Sequence, residues 1–136
     1  MQKSMRVLTD DDRELIEYAR QIVDANTDGV DGVHTVGAAV RGVDGRMYGG
    51  INLHHFTGGP CAELVALAHA RASGARELAT IVAVGNFGRG PVSPCGRDRQ
   101  VLFDYHPDIR VILPTLAGVR SVWIRDLMPL VNVWTP

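Results

Sequence analysis

The fold of this chain is decided by residues 61–85, CAELVALAHARASGARELATIVAVG. Apolar residues recur with helical spacing over 61–73, and Gly74 is a typical helix stop. The run 78–85 is apolar and rich in Ile, Val and Ala, which is typical of a strand buried on both faces. A helix that leads directly into a buried strand indicates an α/β fold.

Further helices and strands are predicted on both sides of this unit. Upstream we expect a helix that begins at Asp10-Asp11-Asp12 and ends near 26–29, then strands at 36–40 and 47–53 joined by an Asp44-Gly45 hairpin turn. Downstream we expect a loop at 86–93, a helix from Pro94 to about Tyr105, strands at 109–113 and 120–124, and a helical turn at 126–128. This order predicts a single domain, 1–136, folded as a three-layer α/β/α sandwich with a five-stranded sheet.

Composition narrows the class of function. The net charge is −1 and no basic run occurs, so binding to nucleic acid through counterion release is not expected. The sequence has neither a signal-peptide pattern nor the ~20 apolar residues of a membrane span. We therefore expect a cytoplasmic protein with no membrane partner, whose two reduced cysteines indicate a metal or catalytic site.

Both cysteines occur in the same setting, a loop with Gly or Pro followed by the start of a helix: GGPCAE at 58–63 and SPCGRD at 93–98. The positive end of a helix is expected to lower the pKa of each thiol and favour the thiolate, which binds zinc. Cys95 and Asp98 are three residues apart and lie on one face of a helical turn. With Cys61 they form three ligands and leave a fourth position open, as in catalytic zinc sites.

Glu63 follows Cys61 by two residues, within reach of a water bound to such a zinc ion. We interpret Glu63 as the catalytic acid/base that moves a proton from this water to a leaving group. The alternative is an acidic residue that only stabilises the start of the helix. With a flat heterocycle over the zinc, the chemistry is attack of hydroxide on an amino-bearing ring carbon, with release of ammonia.

Cys61-Ala62-Glu63 followed by Pro94-Cys95 resembles the signature of the cytidine deaminase superfamily. The match is closer to its blasticidin S deaminase branch over 52–67, 81–89 and 93–102 and at Val133-Trp134. The resemblance implies a mixed sheet in an α/β/α fold, a Zn2+ cofactor and a homotetramer. It also implies hydrolysis of the 4-amino group of a small-molecule substrate, a cytosine nucleoside or a nucleoside antibiotic such as blasticidin S.

Asp98 departs from the family pattern, Pro-Cys-Gly-x-Cys, at the second cysteine. A carboxylate keeps the single negative charge of a thiolate but is a harder and weaker donor. We expect Asp98 to bind zinc, with lower affinity and a more electrophilic metal. The alternative is a site that holds metal weakly or has decayed.

Five residues are candidates for substrate binding: Asn52, His54, Phe56, Ala62 and Trp134. The resemblance implies that Asn52 binds the sugar, and that His54 stands where ordinary cytidine deaminases have a Glu that holds the ribose. An exposed loop histidine is an equal alternative for His54. Aromatic faces at Phe56 and Trp134 could stack on a base, although such residues more often pack in cores or interfaces. Backbone N–H groups near Ala62 could bind the carbonyl of the base.

Two alternative functions stay open. One is a catalytically impaired homologue that binds nucleosides or acts as a structural subunit, and the other is a deaminase of a different aminated heterocycle, such as a purine. Arg97 or Arg99 is expected to offset the negative charge of the three ligands, and the sequence does not distinguish between them.

Overall fold

The computed structural model describes residues 5–30, 32–132 and 134–136, so Val133 of the C-terminal match lies outside the described residues. The elements are α1 (Asp10–Asn26), β1 (Val36–Gly42), β2 (Met47–Ile51), α2 (Ala62–Ala72), β3 (Leu78–Gly85), β4 (Gly90–Val92), α3 (Gly96–Tyr105), β5 (Arg110–Thr115) and β6 (Gly118–Trp123), followed by a 3₁₀ turn (Ile124–Leu127). Within the described ranges, no helix combines the length and apolar character that crossing a bilayer requires.

The strands form one mixed sheet in the order β2-β1-β3-β5-β6, with β4 paired to β3. The β3–β5 pair is parallel, and the other pairs are antiparallel. The predicted α/β class and mixed sheet are confirmed, and the five predicted strands are the five on the main path of this sheet.

The short strand β4 lies inside the segment 86–93, which the sequence analysis predicts as a loop. Its pairing with the end of β3 runs from Ala83↔Val92 to Gly85↔Gly90. Gly and Pro in this segment are typical of a turn, which is why the strand pattern is hidden. Strand β5 pairs with residues Thr80–Val82 of β3, and β4 pairs with the residues of β3 that follow, Ala83–Gly85. The chain continues from β4 to Cys95.

Helices cover both faces of the sheet, as the three-layer prediction requires. On one face α1 packs against alternate strand residues, in the cluster Leu15, Ala19, Val23, Ala39, Val82, Val84 and Ile112. On the other face α2 and α3 pack against the remaining ones, in a cluster that includes Ala66, Leu67, Ala70, Leu102, Ala38, Val40, Ile81, Ala83 and Val111. The alternation along β1 and β3 between the two clusters gives the sheet two buried faces.

Helix α2 lies unusually close to β2. A Cβ at Gly50 would stand 2.7 Å from the backbone N of Ala66 and 2.8 Å from Cγ1 of Val65. Only a glycine leaves room for this approach, since a backbone atom cannot move aside as a side chain can. The contact fixes the height of α2 over the sheet, and with it the position of Cys61 and Glu63 at the start of the helix.

Candidate metal centre and active site

A cavity of about 280 Å³ lies where α2 and α3 begin. This volume is close to the lower end of the range for small-molecule sites, roughly 300–1,000 Å³. Seven of the residues singled out in the sequence border the cavity: Asn52, His54, Cys61, Ala62, Glu63, Cys95 and Asp98. The remaining lining comes mainly from the loop before α2 and from the end of β4.

Each cysteine is the N-cap residue of its helix. Cys61 caps α2 and Cys95 caps α3, both with extended backbone, and the proline before each of them stands outside the helix. The carbonyl of Cys61 accepts a hydrogen bond from the N–H of Leu64 at 3.1 Å, and the carbonyl of Cys95 accepts one from Arg99 at 2.9 Å. The two helix starts therefore aim both thiols into the same cavity.

The two thiols and the Asp98 carboxylate form a compact donor cluster. Their ligand atoms all lie within 4.8 Å of one another, and the two Sγ atoms are 3.9 Å apart. Two thiolates on one tetrahedral zinc at about 2.3 Å would stand roughly 3.8 Å apart. Both cysteines are free rather than joined in a disulfide. The distances therefore fit a shared zinc ion.

Asp98 gives a second test of the fit. The residue is 1% exposed, and its Oδ1 atom has no hydrogen-bond partner among the described residues. A buried carboxylate oxygen without a partner carries a desolvation cost of about 1–3 kcal/mol or more. A cation held by the two thiols and this carboxylate would offset that cost, so the three residues suit the metal that the sequence predicts.

Glu63 is buried beside this cluster, with 5% of its surface exposed. Burial raises the pKa of its carboxyl to about 8, and the charge of Asp98 and a hydrogen bond between the two carboxyls act in the same direction. In the metal-free protein Glu63 thus holds its proton at neutral pH. A carboxyl that exchanges a proton near neutral pH is suited to acid/base chemistry.

The expected lowering of the thiol pKa is wrong for Cys61. Burial raises the pKa of this thiol to about 11, and the neighbouring Asp98 and Cys95 add to the rise, while a hydrogen bond from Arg97 opposes it. Desolvation of a thiolate at a half-buried position outweighs the favourable field of the helix start. In the metal-free site Cys61 is therefore a neutral thiol that must release its proton when a cation binds.

The structure distinguishes between the two arginines of α3. Arg97 directs its Nη2 atom to the carbonyl of Gly59 at 3.0 Å and to Sγ of Cys61 at 3.6 Å. Arg99 instead donates to the carbonyl of Pro94 and to Oγ of Ser93. Arg97 is therefore the arginine that contacts the donor cluster, and Arg99 holds the loop before α3.

Asn52 lines the cavity, but most of its side chain is already engaged in hydrogen bonds with the protein. Its Oδ1 atom accepts hydrogen bonds from the backbone N–H groups of Thr35 and Val36, and its amide nitrogen donates to the carbonyl of Val33. One N–H of the amide is left for a ligand. His54 is exposed and borders the same part of the cavity.

Phe56 and Trp134 do not border this cavity in the isolated chain. Phe56 is 93% exposed and lies against the ring of His55, with centroids 4.5 Å apart. Trp134 is 53% exposed and stacks on Tyr105. Val36, Leu53, His55, Val92 and Ser93 also line the cavity without having been assigned a role from the sequence. Only Ser93, next to the Pro94-Cys95 pair, carried a signal in the sequence.

No family model matches this chain, but individual proteins of known activity are similar to it. It is 31% identical to blasticidin-S deaminase of Bacillus cereus over 136 residues, which cover 90% of this chain and 93% of that protein. It is 37% identical to a cytidine deaminase of Halalkalibacterium halodurans over 98 residues, which cover 69% of this chain and 74% of the relative. These relatives are deaminases.

Solved structures agree with the sequence relatives. The crystal structure of cytidine deaminase from Burkholderia pseudomallei superposes on this chain with a TM-score of 0.72 at 33% identity. The superposition covers 92% of this chain and 100% of the other. Cytidine deaminase from Mycobacterium leprae gives a TM-score of 0.69 at 26% identity, covering 86% and 97% of the two chains. This chain therefore combines the fold of cytidine deaminases with a cluster of three possible metal ligands. The chain belongs to the cytidine deaminase superfamily.

The raised pKa of Glu63 predicts how the stability of the metal-free protein depends on pH. Between about pH 5 and 8 the unfolded chain has lost the Glu63 proton, whereas the folded chain keeps it. Because the folded state binds more protons, the free energy of unfolding falls as pH rises through this window, by at most about 1.4 kcal/mol per pH unit. We expect urea denaturation in the presence of a chelator to show this loss.

The control for this prediction is Glu63→Gln, which removes the titrating group. Other groups, such as His106, whose pKa is lowered by burial, titrate in both proteins and cancel in the comparison. The wild-type stability should therefore fall more steeply between pH 5 and 8 than that of the variant. Parallel curves for the two proteins would contradict the assignment of this proton to Glu63.

The position of Arg97 predicts a specific effect on metal affinity. Arg97→Gln removes the positive charge 3.6 Å from Sγ of Cys61, so the thiolate that binds a cation loses its neighbouring counter-charge. We expect zinc affinity, measured by chelator competition, to fall by about tenfold or more. Arg99 lies on the same helix but bonds to the loop before α3 instead of Cys61. Arg99→Gln should therefore leave zinc affinity within about twofold of wild type. Equal losses in both variants would contradict a specific role for Arg97.

Proposed function

We propose that this protein is a zinc-dependent hydrolytic deaminase that converts the 4-amino group of a cytosine nucleoside, or of a nucleoside antibiotic similar to blasticidin S, to a carbonyl with release of ammonia. Cys61, Cys95 and Asp98 hold the zinc ion, and Glu63 moves the proton. The observation that carries the proposal is the buried Glu63 carboxyl beside a three-donor cluster in a nucleoside-sized cavity. The deaminase relatives support the same activity.

Zinc held by Cys61, Cys95 and Asp98 would supply a Lewis acid that activates a water for attack. With a cation balancing the charge of the cluster, Glu63 acts as a carboxylate that takes one proton from the attacking water and passes it to the ring nitrogen beside the amino-bearing carbon. It then takes the proton of the hydroxyl left on that carbon and passes it to the amino group, so that the C–N bond breaks and ammonia leaves the carbonyl product. Its carboxyl suits both steps because burial holds its pKa close to neutral. Its position on the first turn of α2 places it beside the three residues that would hold the ion, and it is not a member of their donor cluster.

The start of α2 also supplies a hydrogen-bond donor for the substrate. The first N–H groups of a helix have no partner within the helix, and Ala62, the first residue of α2, borders the cavity. We place the carbonyl of the base at this N–H. The sugar lies toward the remaining N–H of Asn52 and toward His54, at the exposed mouth of the cavity. An imidazole at the mouth in place of a carboxylate favours a sugar unlike plain ribose.

Phe56 and Trp134 contact the substrate only in an assembly, because they lie outside the cavity of their own chain. We propose a cytoplasmic homotetramer, in line with the resemblance, in which these exposed rings meet a neighbouring copy. Light scattering should give a mass four times that of one chain. A monomer of full activity would remove the two aromatic residues from the substrate site.

Replacing Glu63 with Gln provides the test of the mechanism. The amide keeps the size of the side chain but cannot accept and return a proton, so we expect zinc content and fold to be retained while ammonia release from cytidine or blasticidin S falls by at least about 100-fold. Ammonia is measured by a coupled assay on zinc-loaded protein, with metal content determined on the same sample. Turnover close to wild type would exclude Glu63 from the mechanism.

The choice of substrates separates the alternatives. Ammonia release is compared across cytosine and purine nucleosides, their bases and blasticidin S, with zinc added. Turnover of a purine and not of any cytosine compound would assign the site to a different aminated heterocycle. Binding of nucleosides without turnover by zinc-loaded wild type would indicate a catalytically impaired homologue. The buried, proton-holding Glu63 favours the enzyme, since a binding protein has no use for a proton carrier.

A further inference from the structure

We infer that Asp98 sets the metal specificity of this site, lowering the affinity for thiophilic cations such as Cd2+ more than the affinity for Zn2+. The inference rests on the proposed function in one respect only, the shared cluster of Cys61, Cys95 and Asp98. It goes further because it assigns to Asp98 a role that zinc binding alone does not require. The residue would decide which cation the protein holds.

The donor set is the basis of this inference. Two sulfur atoms and one carboxylate oxygen converge within 4.8 Å. Soft thiolate ligands select soft metals, while carboxylate suits harder ones, and Cd2+ is softer than Zn2+. Exchange of a third thiolate for an oxygen therefore removes more binding free energy from Cd2+ than from Zn2+.

The carboxylate cannot leave the cluster for solvent. Asp98 is 1% exposed and lies on the first turn of α3, three residues after the capping Cys95. One of its oxygens, Oδ1, has no hydrogen-bond partner among the described residues. The carboxylate is thus available to a cation.

Charge does not account for the difference between Asp and Cys at this position. Carboxylate and thiolate both carry one negative charge, and the Arg97 guanidinium contacts Cys61 rather than Asp98. A change of Asp98 to Cys therefore alters the softness of the third ligand at constant charge. A change to Asn removes the charge and keeps the shape. The two variants separate the two contributions.

The test measures dissociation constants for Zn2+ and Cd2+ by chelator competition in the presence of a phosphine reductant. For Asp98→Cys we expect affinity for Cd2+ to rise about tenfold more than affinity for Zn2+. For Asp98→Asn we expect both affinities to fall by about tenfold or more. Asp104→Asn, on the same helix but outside the cavity, is the control and should change neither value.

Cobalt substitution of the wild-type protein gives a readout that needs no variant. Thiolate-to-cobalt charge-transfer absorption increases with the number of Co–S bonds, so wild type should show the absorption of two such bonds per metal. Asp98→Cys should show one bond more. Absorption of a single Co–S bond in wild type would overturn the inference, because the two thiols would not share the ion.

The inference would also be overturned by an unchanged ratio of Cd2+ to Zn2+ affinity in Asp98→Cys, or by unchanged affinities in Asp98→Asn. None of these measurements involves deamination. Wild type that fails to release ammonia from any nucleoside, yet shows the expected metal specificity, would disprove the proposed function and leave this inference standing. Wild type that releases ammonia, together with an unchanged ratio of Cd2+ to Zn2+ affinity in Asp98→Cys, would disprove this inference and leave the proposed function standing.

Discussion

The structure depends on the approach of two helix starts, which brings Sγ of Cys61 and Sγ of Cys95 to 3.9 Å. The approach concentrates acidic groups, since Glu63 and Asp98 are buried in the same place. Four ionisable groups of one sign cannot all be charged in so small a volume without compensation. The metal-free protein compensates with protons, held at Glu63 and Cys61 by burial, and with Arg97. A bound cation would replace those protons.

The geometry that enforces this approach is only partly visible in the sequence. Helical spacing in 61–73, the apolar run at 78–85 and the two Pro-Cys pairs are strong local patterns, so the layers and the clustering of Cys61, Cys95 and Asp98 were predictable. Strand β4 was not, because its Gly-Pro composition predicts a loop and its pairing depends on where β5 ends. The close approach of α2 to β2 at Gly50 likewise depends on tertiary packing. A single glycine in a strand does not predict it, because such a glycine can also indicate a β-bulge.

Side-chain roles were least predictable where two similar residues compete. Arg97 and Arg99 are both arginines on the first turns of α3, and only the direction of each guanidinium, toward Cys61 or toward Ser93, separates them. The same limit applies to the thiol pKa. A helix start favours a thiolate in principle, but the burial of Cys61 is a property of the folded cavity and outweighs that effect. A sequence pattern shows that a thiol lies at the positive end of a helix dipole. It does not show how far the thiol is buried, and burial acts on the pKa in the opposite direction.

The state of Asp98 bears on whether the site is active or decayed. A site that had lost its metal would gain stability from an apolar or hydrogen-bonded residue at this position, because a buried carboxylate oxygen without a partner costs free energy. Here a carboxylate occupies the position with 1% exposure, its ligand atom lies within 4.8 Å of two thiols at zinc-like spacing, and the Arg97 guanidinium contacts Cys61. Decay would have no reason to preserve the charge, the burial and the distances together. Their combination supports the proposal that Asp98 binds a cation in place of a cysteine.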